Sequence, residues 1–209
     1  MVTAGARASV LDRLLIETGL IRATARPRPP RLADLPVPLR SEVLGLYRQL
    51  GGKLDEPLLR PGAWDLPYSD VIVELDEDMH FNRYRTLTLG APFAASLPWA
   101  AAYRQHAGAH EGRAGTGGRR WTSPPAERMF GPADKKWVFD HAGAPRWKQR
   151  ALYDAVKDAA AAAGLVQLAR ISIYDAVDGI RMEDALRGRE TIAPDSVRRF
   201  VESRSFTLA

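Results

Sequence analysis

Residues 64–85 read WDLPYSDVIVELDEDMHFNRYR, and the fold turns on the middle of this stretch. Val71–Leu75 is an apolar, largely β-branched run, bounded by Pro67–Asp70 on one side and three acids on the other. That pattern predicts a strand, buried in character, after a turn. Side chains alternate along a strand, so Val71 and Val73 point one way and Ile72 and Glu74 the other; Asp76 shares the face of Glu74. Asp65, separated from Glu74 by the residues 66–73, reaches the same place from a neighbouring antiparallel strand. Three carboxylates at one strand end are hard oxygen donors of the kind that hold Mg2+ or Mn2+, the ions that activate water against a phosphodiester. His80 follows four residues after Asp76 and titrates near neutral pH, which suits it to general acid–base work. The competing account is a strand ending in a solvated acidic turn, Asp76–Asp78.

Outward from this centre, RYRTLTL (83–89) begins a helix. Residues 39–50 set Val43, Leu46, Tyr47 and Leu50 on one face of a helix closed by Gly51–Gly52. Residues 8–22 repeat that periodicity, and the Pro- and Arg-rich segment that follows reads as an extended arm. A helix capped by Ser96 is expected around Pro98, then a long irregular insertion over about 107–146. Residues 146–163 form an amphipathic helix burying Leu152, Ala155, Val156 and Ala159; 165–177 alternate as a strand, and 194–204 close the chain as a helix. The predicted class is α/β, a mixed sheet flanked by helices, organised as an N-terminal helix and arm (1–38) and a main domain (39–209).

Composition narrows the chemistry. The 209 residues contain no cysteine, which excludes thiolate zinc sites, iron–sulfur clusters and a cysteine nucleophile. No apolar run approaches the roughly 18–20 residues of a membrane helix, and no signal-like segment opens the chain, so a cytoplasmic protein is expected. There is no P-loop and no nucleophile elbow. The net charge of +5 is unevenly spread. Residues 55–78 carry eight acids against Arg60, while 1–31 and 113–150 are basic by four and six charges. An acidic centre between basic flanks suits a cation site beside surfaces that hold phosphates.

The stretch from Trp64 to Arg85 resembles the core of the PD-(D/E)XK, or restriction-endonuclease-like, nuclease superfamily, in particular the branch of very-short-patch-repair endonucleases. It also resembles actinobacterial proteins that share a VELDE–HFNRYR core. Asp65 matches the first Asp of the pattern, Glu74 and Asp76 the Glu-x-Asp, His80 the downstream His, and Arg83 or Arg85 the basic residues that open the next helix. The close likeness covers about 25 residues; beyond it only the element order over 39–175 agrees. The resemblance implies a restriction-endonuclease-like mixed sheet, with Asp65, Glu74 and Asp76 as metal ligands and catalytic residues together with His80. It also implies that an acid from the helix 39–50, here Glu42, stands near the metal in some members, although a plain surface role suits Glu42 better. Two departures matter. Asp76 stands where many members have Lys, and Glu77 where a Gly is usual.

Arg119, Arg120 and Trp121, and again Arg146, Trp147, Lys148 and Arg150, set cations beside aromatics. With Arg83 and Arg85 they are candidate nucleic-acid contacts, Arg and Lys for phosphates and Trp for stacking on bases. The alternative is that both Trp pack the insertion onto the core. The arm over 22–31 suits a groove, a linker or the wrapping of a second copy in a homodimer. His106 and His110 are one helical turn apart but lack a third zinc ligand. The leading expectation is therefore a metal-dependent DNA endonuclease of repair or defence. The alternatives are a catalytically inactive nucleic-acid-binding or interaction module on the same fold, and an unrelated α/β protein with a structural acidic hairpin.

Overall fold

A computed structural model describes residues 5–116 and 120–206. Eight helices are present among them: α1 Ala6–Glu17, α2 Val37–Gln49, α3 Arg83–Thr88, α4 Ala100–Ala114, α5 Pro124–Phe130, α6 Pro145–Ala162, α7 Met182–Leu186 and α8 Pro194–Arg204. The strands are β1 Leu66–Pro67, β2 Ile72–Asp76, β3 Leu168–Ser172, β4 Ala176–Val177, β5 Ile180–Arg181 and β6 Ser205–Phe206. The architecture is α/β, with a mixed four-stranded sheet in the order β1-β2-β3-β6 and a separate β4–β5 hairpin.

The two strands expected over 71–75 and 165–177 form the centre of the sheet as β2 and β3, the second shorter than expected. β2 and β3 run parallel, Glu74 opposite Arg170 and Asp76 opposite Ser172, and both strands are buried along their full length. Burial on both faces explains why they read as nearly continuous apolar runs. β1 and β6 pair antiparallel on the two sides. A parallel pair needs a long crossover, and here it contains α3, α4, α5 and α6. By the strand alternation, Ile72, Glu74, Asp76, Leu168, Arg170 and Ser172 share one face. The other presents Val73, Leu75, Ala169 and Ile171, and both faces join one continuous apolar core that includes Ile72, Leu168, Leu11, Leu15, Val43 and Val197. In the β4–β5 turn Asp178 and Gly179 have φ of 51° and 81°. Two successive left-handed residues make the tight hairpin turn that Asp-Gly favours.

Three sequence expectations need correction. The N-terminal helix and arm, described over residues 5–38, do not stand apart from the main domain: Leu11, Leu15 and Leu35 lie in the main core, Ala23 N–H donates to Pro67 O (3.1 Å), and Trp64 Nε1 donates to Arg28 O (3.2 Å). Pro27, Pro29 and Pro30 keep the arm extended, and Pro30 is buried against the body. The stretch 107–146 is not a long irregular insertion, since it holds the second half of α4 and all of α5. Gly108 and Gly112 had masked α4, whose buried side is marked mainly by small residues such as Ala107 and Ala114. Pro92–Ser96 forms a short 3-10 turn, so α4 starts at Ala100 and Ser96 does not cap it. No helix of the described residues is long and apolar enough to cross a membrane.

Candidate metal centre

Helix α6 lies over the polar face of the sheet and is buried on nearly every side. Its run of alanines lets neighbouring elements approach closely. Asp154, Lys157 and Asp158 recur at one-turn spacing on its sheet side and meet Glu74, Asp76 and Arg170. Arg170 is fully buried and organises the group. Its Nη1 donates to Asp76 Oδ2 (2.7 Å), its Nε to Asp158 Oδ1 (2.7 Å), and its Nη2 stands 3.5 Å from Asp154 Oδ1. Arg85, from α3, completes the chain through an ion pair of 2.7 Å with Asp158 Oδ2.

Asp76 is the last residue of β2. Beyond it the backbone turns through a short 3-10 helix, Asp78–His80, which carries His80 back over Asp76. His80 Nδ1 lies 2.8 Å from Asp76 Oδ1 and 2.8 Å from Asp154 Oδ2. One donor atom from each of Asp76, His80 and Asp154 lies within 4.8 Å of the others, and these three residues could hold a metal ion. Arg170 anchors the far oxygen of each carboxylate, so the near oxygens face the imidazole. Asp76 Oδ1 is buried, with His80 Nδ1 as its near neighbour at 2.8 Å. The donor set of two carboxylate oxygens and one imidazole nitrogen fits Mn2+, Fe2+ or Zn2+ better than Mg2+, which prefers oxygen alone.

Electrostatics follow from this packing. Burial alone would neutralise Asp76, but Arg170 and His80 hold its carboxyl well below the usual range. Asp154 is likewise held low against burial, by His80 and Arg170. Burial opposes the charge on His80, yet Asp154 and Asp76 outweigh it and hold the imidazole up at about 9. Burial pushes the phenol of Tyr103 well above its ordinary value, and the Asp76 charge adds to it.

The expected trio of Asp65, Glu74 and Asp76 does not form such a donor group; the residues that converge are Asp76, His80 and Asp154. Asp65 and Glu74 do meet, through the backbone. Asp65 N–H donates to Glu74 Oε1 (3.0 Å), and Leu75 N–H to Asp65 Oδ2 (3.2 Å). Glu74 Oε2 faces Lys157 Nζ at 2.6 Å, and burial pushes the Glu74 carboxyl up to about 7 while Lys157 pulls it down. The strand position two after Glu74 lacks a lysine, and α6 supplies the ammonium instead. Glu42 accepts the backbone N–H of Phe93 (3.2 Å), a tie between α2 and the 92–96 turn.

The candidate nucleic-acid contacts divide. Trp147 is fully buried, packed edge-on against Trp121 (ring centroids 5.1 Å apart), so it is a packing residue and is closed to bases. Trp121 is half-buried in the same aromatic group and donates to Asp134 O. Arg85 is buried on Asp158 and closed to phosphates. Lys148 is also buried, its Nζ over the rings of Tyr84 and Phe130. Arg83 is exposed but doubly bonded to Glu111 (2.9 and 2.8 Å). Arg120 is half-buried, 4.0 Å from Asp78. Arg119 lies outside the described residues. Arg146 and Arg150 are half-buried, and Arg150 Nη1 is 3.4 Å from His80 Nε2. Asp154, Lys157, Asp158 and Arg170 escaped the sequence reading. A charged residue inside the strand run LARISI was the signal for Arg170, and acids and a lysine amid the alanines of α6 for the others.

No curated protein and no solved structure matches the chain. A family model described as a family of unknown function, DUF7255, matches residues 45–188. That span takes in β1 to β3, α6 and α7, and with them Asp65, Glu74, Asp76, His80, Asp154 and Arg170. The whole candidate metal site lies within the matched part, and the chain, matched over well more than half its length, belongs to this family, DUF7255.

Proposed function

We propose that the protein is a metal-dependent nuclease that hydrolyses phosphodiester bonds in DNA, with a role in repair or defence. The observation that carries this reading is the Asp76–His80–Asp154 group, whose donor atoms close to within 4.8 Å at the end of β2. A divalent cation bound there supplies Lewis-acid activation of the phosphodiester and of the attacking water. Asp76 and Asp154 present one oxygen each, held in place from behind by Arg170. His80 offers Nδ1, and its side chain, 12% exposed, is the part of the group that reaches solvent. Lys157 pulls the Glu74 carboxyl down against burial, which still holds it up at about 7, beside Asp65. The likeness of Trp64–Arg85 to restriction-endonuclease-like cores supports the choice of phosphodiester chemistry. The nitrogen donor favours Mn2+ over Mg2+ as the working ion.

A second reading, a catalytically inactive nucleic-acid-binding module, is favoured by one feature. Glu74, Asp76, Asp154 and Asp158 are matched by Lys157, Arg170, Arg85 and protonated His80, so the network is neutral without a metal. Cleavage decides between them. Duplex, mismatched, branched and single-stranded DNA, and RNA, are incubated with Mn2+ or Mg2+ and with wild type, His80→Gln or Glu74→Gln. The nuclease reading expects cation-dependent cleavage of at least one DNA substrate and a loss of about 100-fold or more in folded variants. Salt-sensitive DNA binding with no cleavage by wild type would establish the second reading instead.

A further inference from the structure

Arg146 and Arg150 stand one turn apart on α6, on the side that leads to His80. Both are half-buried. The side chain of Arg146 meets the amide oxygen of Gln149. Among the described residues, that of Arg150 meets only His80 Nε2, at 3.4 Å. Among the described residues no carboxylate lies within 4.0 Å of either guanidinium. The deeper arginines differ: Arg85 and Arg170 are both closed by acids at 2.7 Å. Two like charges, withdrawn from water and lacking a counter-ion, are costly, and an anion between them removes the cost. Burial and the charge of Arg150 together lower the Arg146 pKa, which reflects the same crowding. The end of the helix does not supply donors here. Pro145 has no N–H, Arg146 N–H donates to Trp121 O (3.1 Å) and Trp147 N–H to Ala144 O (3.0 Å).

We propose that Arg146 and Arg150 form a phosphate-binding subsite next to the Asp76–His80–Asp154 group, which receives a phosphoryl group of a nucleic-acid strand. Guanidinium forks match the several oxygens of a phosphoryl group better than they match a single-oxygen acceptor. The subsite itself needs no metal; its assignment to a nucleic-acid strand rests on the nuclease reading.

The test uses full-length protein in EDTA at low salt, titrated calorimetrically with inorganic phosphate and, separately, with a short single-stranded DNA. Wild type is compared with Arg146→Gln, Arg150→Gln and the control Lys135→Gln, an exposed cation of the preceding loop. Thermal melts and Arg150→Lys guard against unfolding as an explanation. The expected result is phosphate binding weakened about tenfold or more by either arginine variant, unchanged by Lys135→Gln and partly kept by Arg150→Lys. The oligonucleotide should weaken in parallel. A wild type that binds no phosphate at millimolar concentration, or arginine variants that bind like wild type, would overturn the subsite. Phosphate binding that depends on the arginines, with DNA affinity unmoved, would overturn its assignment to a strand. Because metal is absent, failure of cleavage leaves this result intact, and the two readings fail separately.

Discussion

Arg170 and Asp76 lie on adjacent parallel strands, Nη1 of the first 2.7 Å from Oδ2 of the second, with both side chains sealed from solvent. The same guanidinium holds Asp158, which in turn holds Arg85. Two helices of the crossover layer, α6 directly and α3 through Asp158, are therefore joined to the sheet through one side chain. Removing it strands two buried carboxylates. Arg170→Met should destabilise the protein by about 3–5 kcal/mol, or prevent folding. Arg170→Lys should fail to restore it, since one ammonium cannot replace a planar fork that spans two acids. Urea denaturation of the two variants, or their yield as soluble protein, checks this. A stable Arg170→Lys would show that the fork geometry is unimportant.

The Glu74–Lys157 pair gives a different outcome, because both partners can be removed together. Lys157→Met alone leaves Glu74 buried at 3% exposure beside Asp65, with no ammonium within reach. A loss of about 3–5 kcal/mol is expected. Pairing it with Glu74→Leu removes both charges and should recover most of that loss, since a buried ion pair contributes little over an apolar pair of similar volume. A double-mutant cycle measured in urea supplies the coupling. Additive losses would mean that the two side chains do not depend on each other.

How far the sequence revealed these pairs differs between them. The strand carrying Glu74 and Asp76 was legible from its apolar run and period of two, and so was the terminal helix over 194–204, which matches α8 to the residue. His80 was legible from its spacing to Asp76. The partners were not. Asp154 and Arg170 lie 78 and 94 residues beyond Asp76 in the chain, and only the crossover brings them back. Local periodicity carries no information about such a return. Helix α6 shows a further limit: its apolar positions marked one buried face, whereas small alanines let it bury nearly all of its surface, charged residues included. Trp147 was ambiguous for a similar reason, as an aromatic beside arginines looks alike whether it stacks on a base or fills a core.

The apoprotein should be more stable in mildly acidic than in alkaline solution. The His80 pKa is raised in the fold to about 9 from an ordinary value of 6.5, so its contribution is complete below 6.5 and fades as pH rises to 9. The full effect is on the order of 3 kcal/mol. Glu74, raised to about 7 from 4.5, acts in the same direction over a lower window, from 4.5 to 7. Asp76 and Asp154 act oppositely, their depressed pKa values withdrawing stability as pH falls below the ordinary carboxylate range. Melting in EDTA across this range should therefore show a maximum near pH 4.5, a first decline up to pH 7 from Glu74 and a second from pH 6.5 to 9 from His80. His80→Gln should flatten the decline above pH 6.5. Superimposable profiles for variant and wild type would remove His80 from the explanation.

Metal binding should compete with the same proton. The imidazole holds its Nδ1 proton between Asp76 Oδ1 and Asp154 Oδ2, at 2.8 Å from each, and a cation ligated there must displace it. Apparent affinity for Mn2+ should thus tighten by up to about tenfold per pH unit below pH 9. Once bound, the ion should stabilise the fold by about 2.7 kcal/mol at 100 times its Kd. Both effects should vanish in His80→Gln and in Asp154→Asn, and Mg2+ should be the weaker ligand because it favours oxygen donors. Thermal melts with and without Mn2+, repeated at several pH values, measure all of this in one series. An Mn2+ shift that survives both substitutions would place the ion elsewhere in the protein and end the assignment of Asp76, His80 and Asp154 as its ligands.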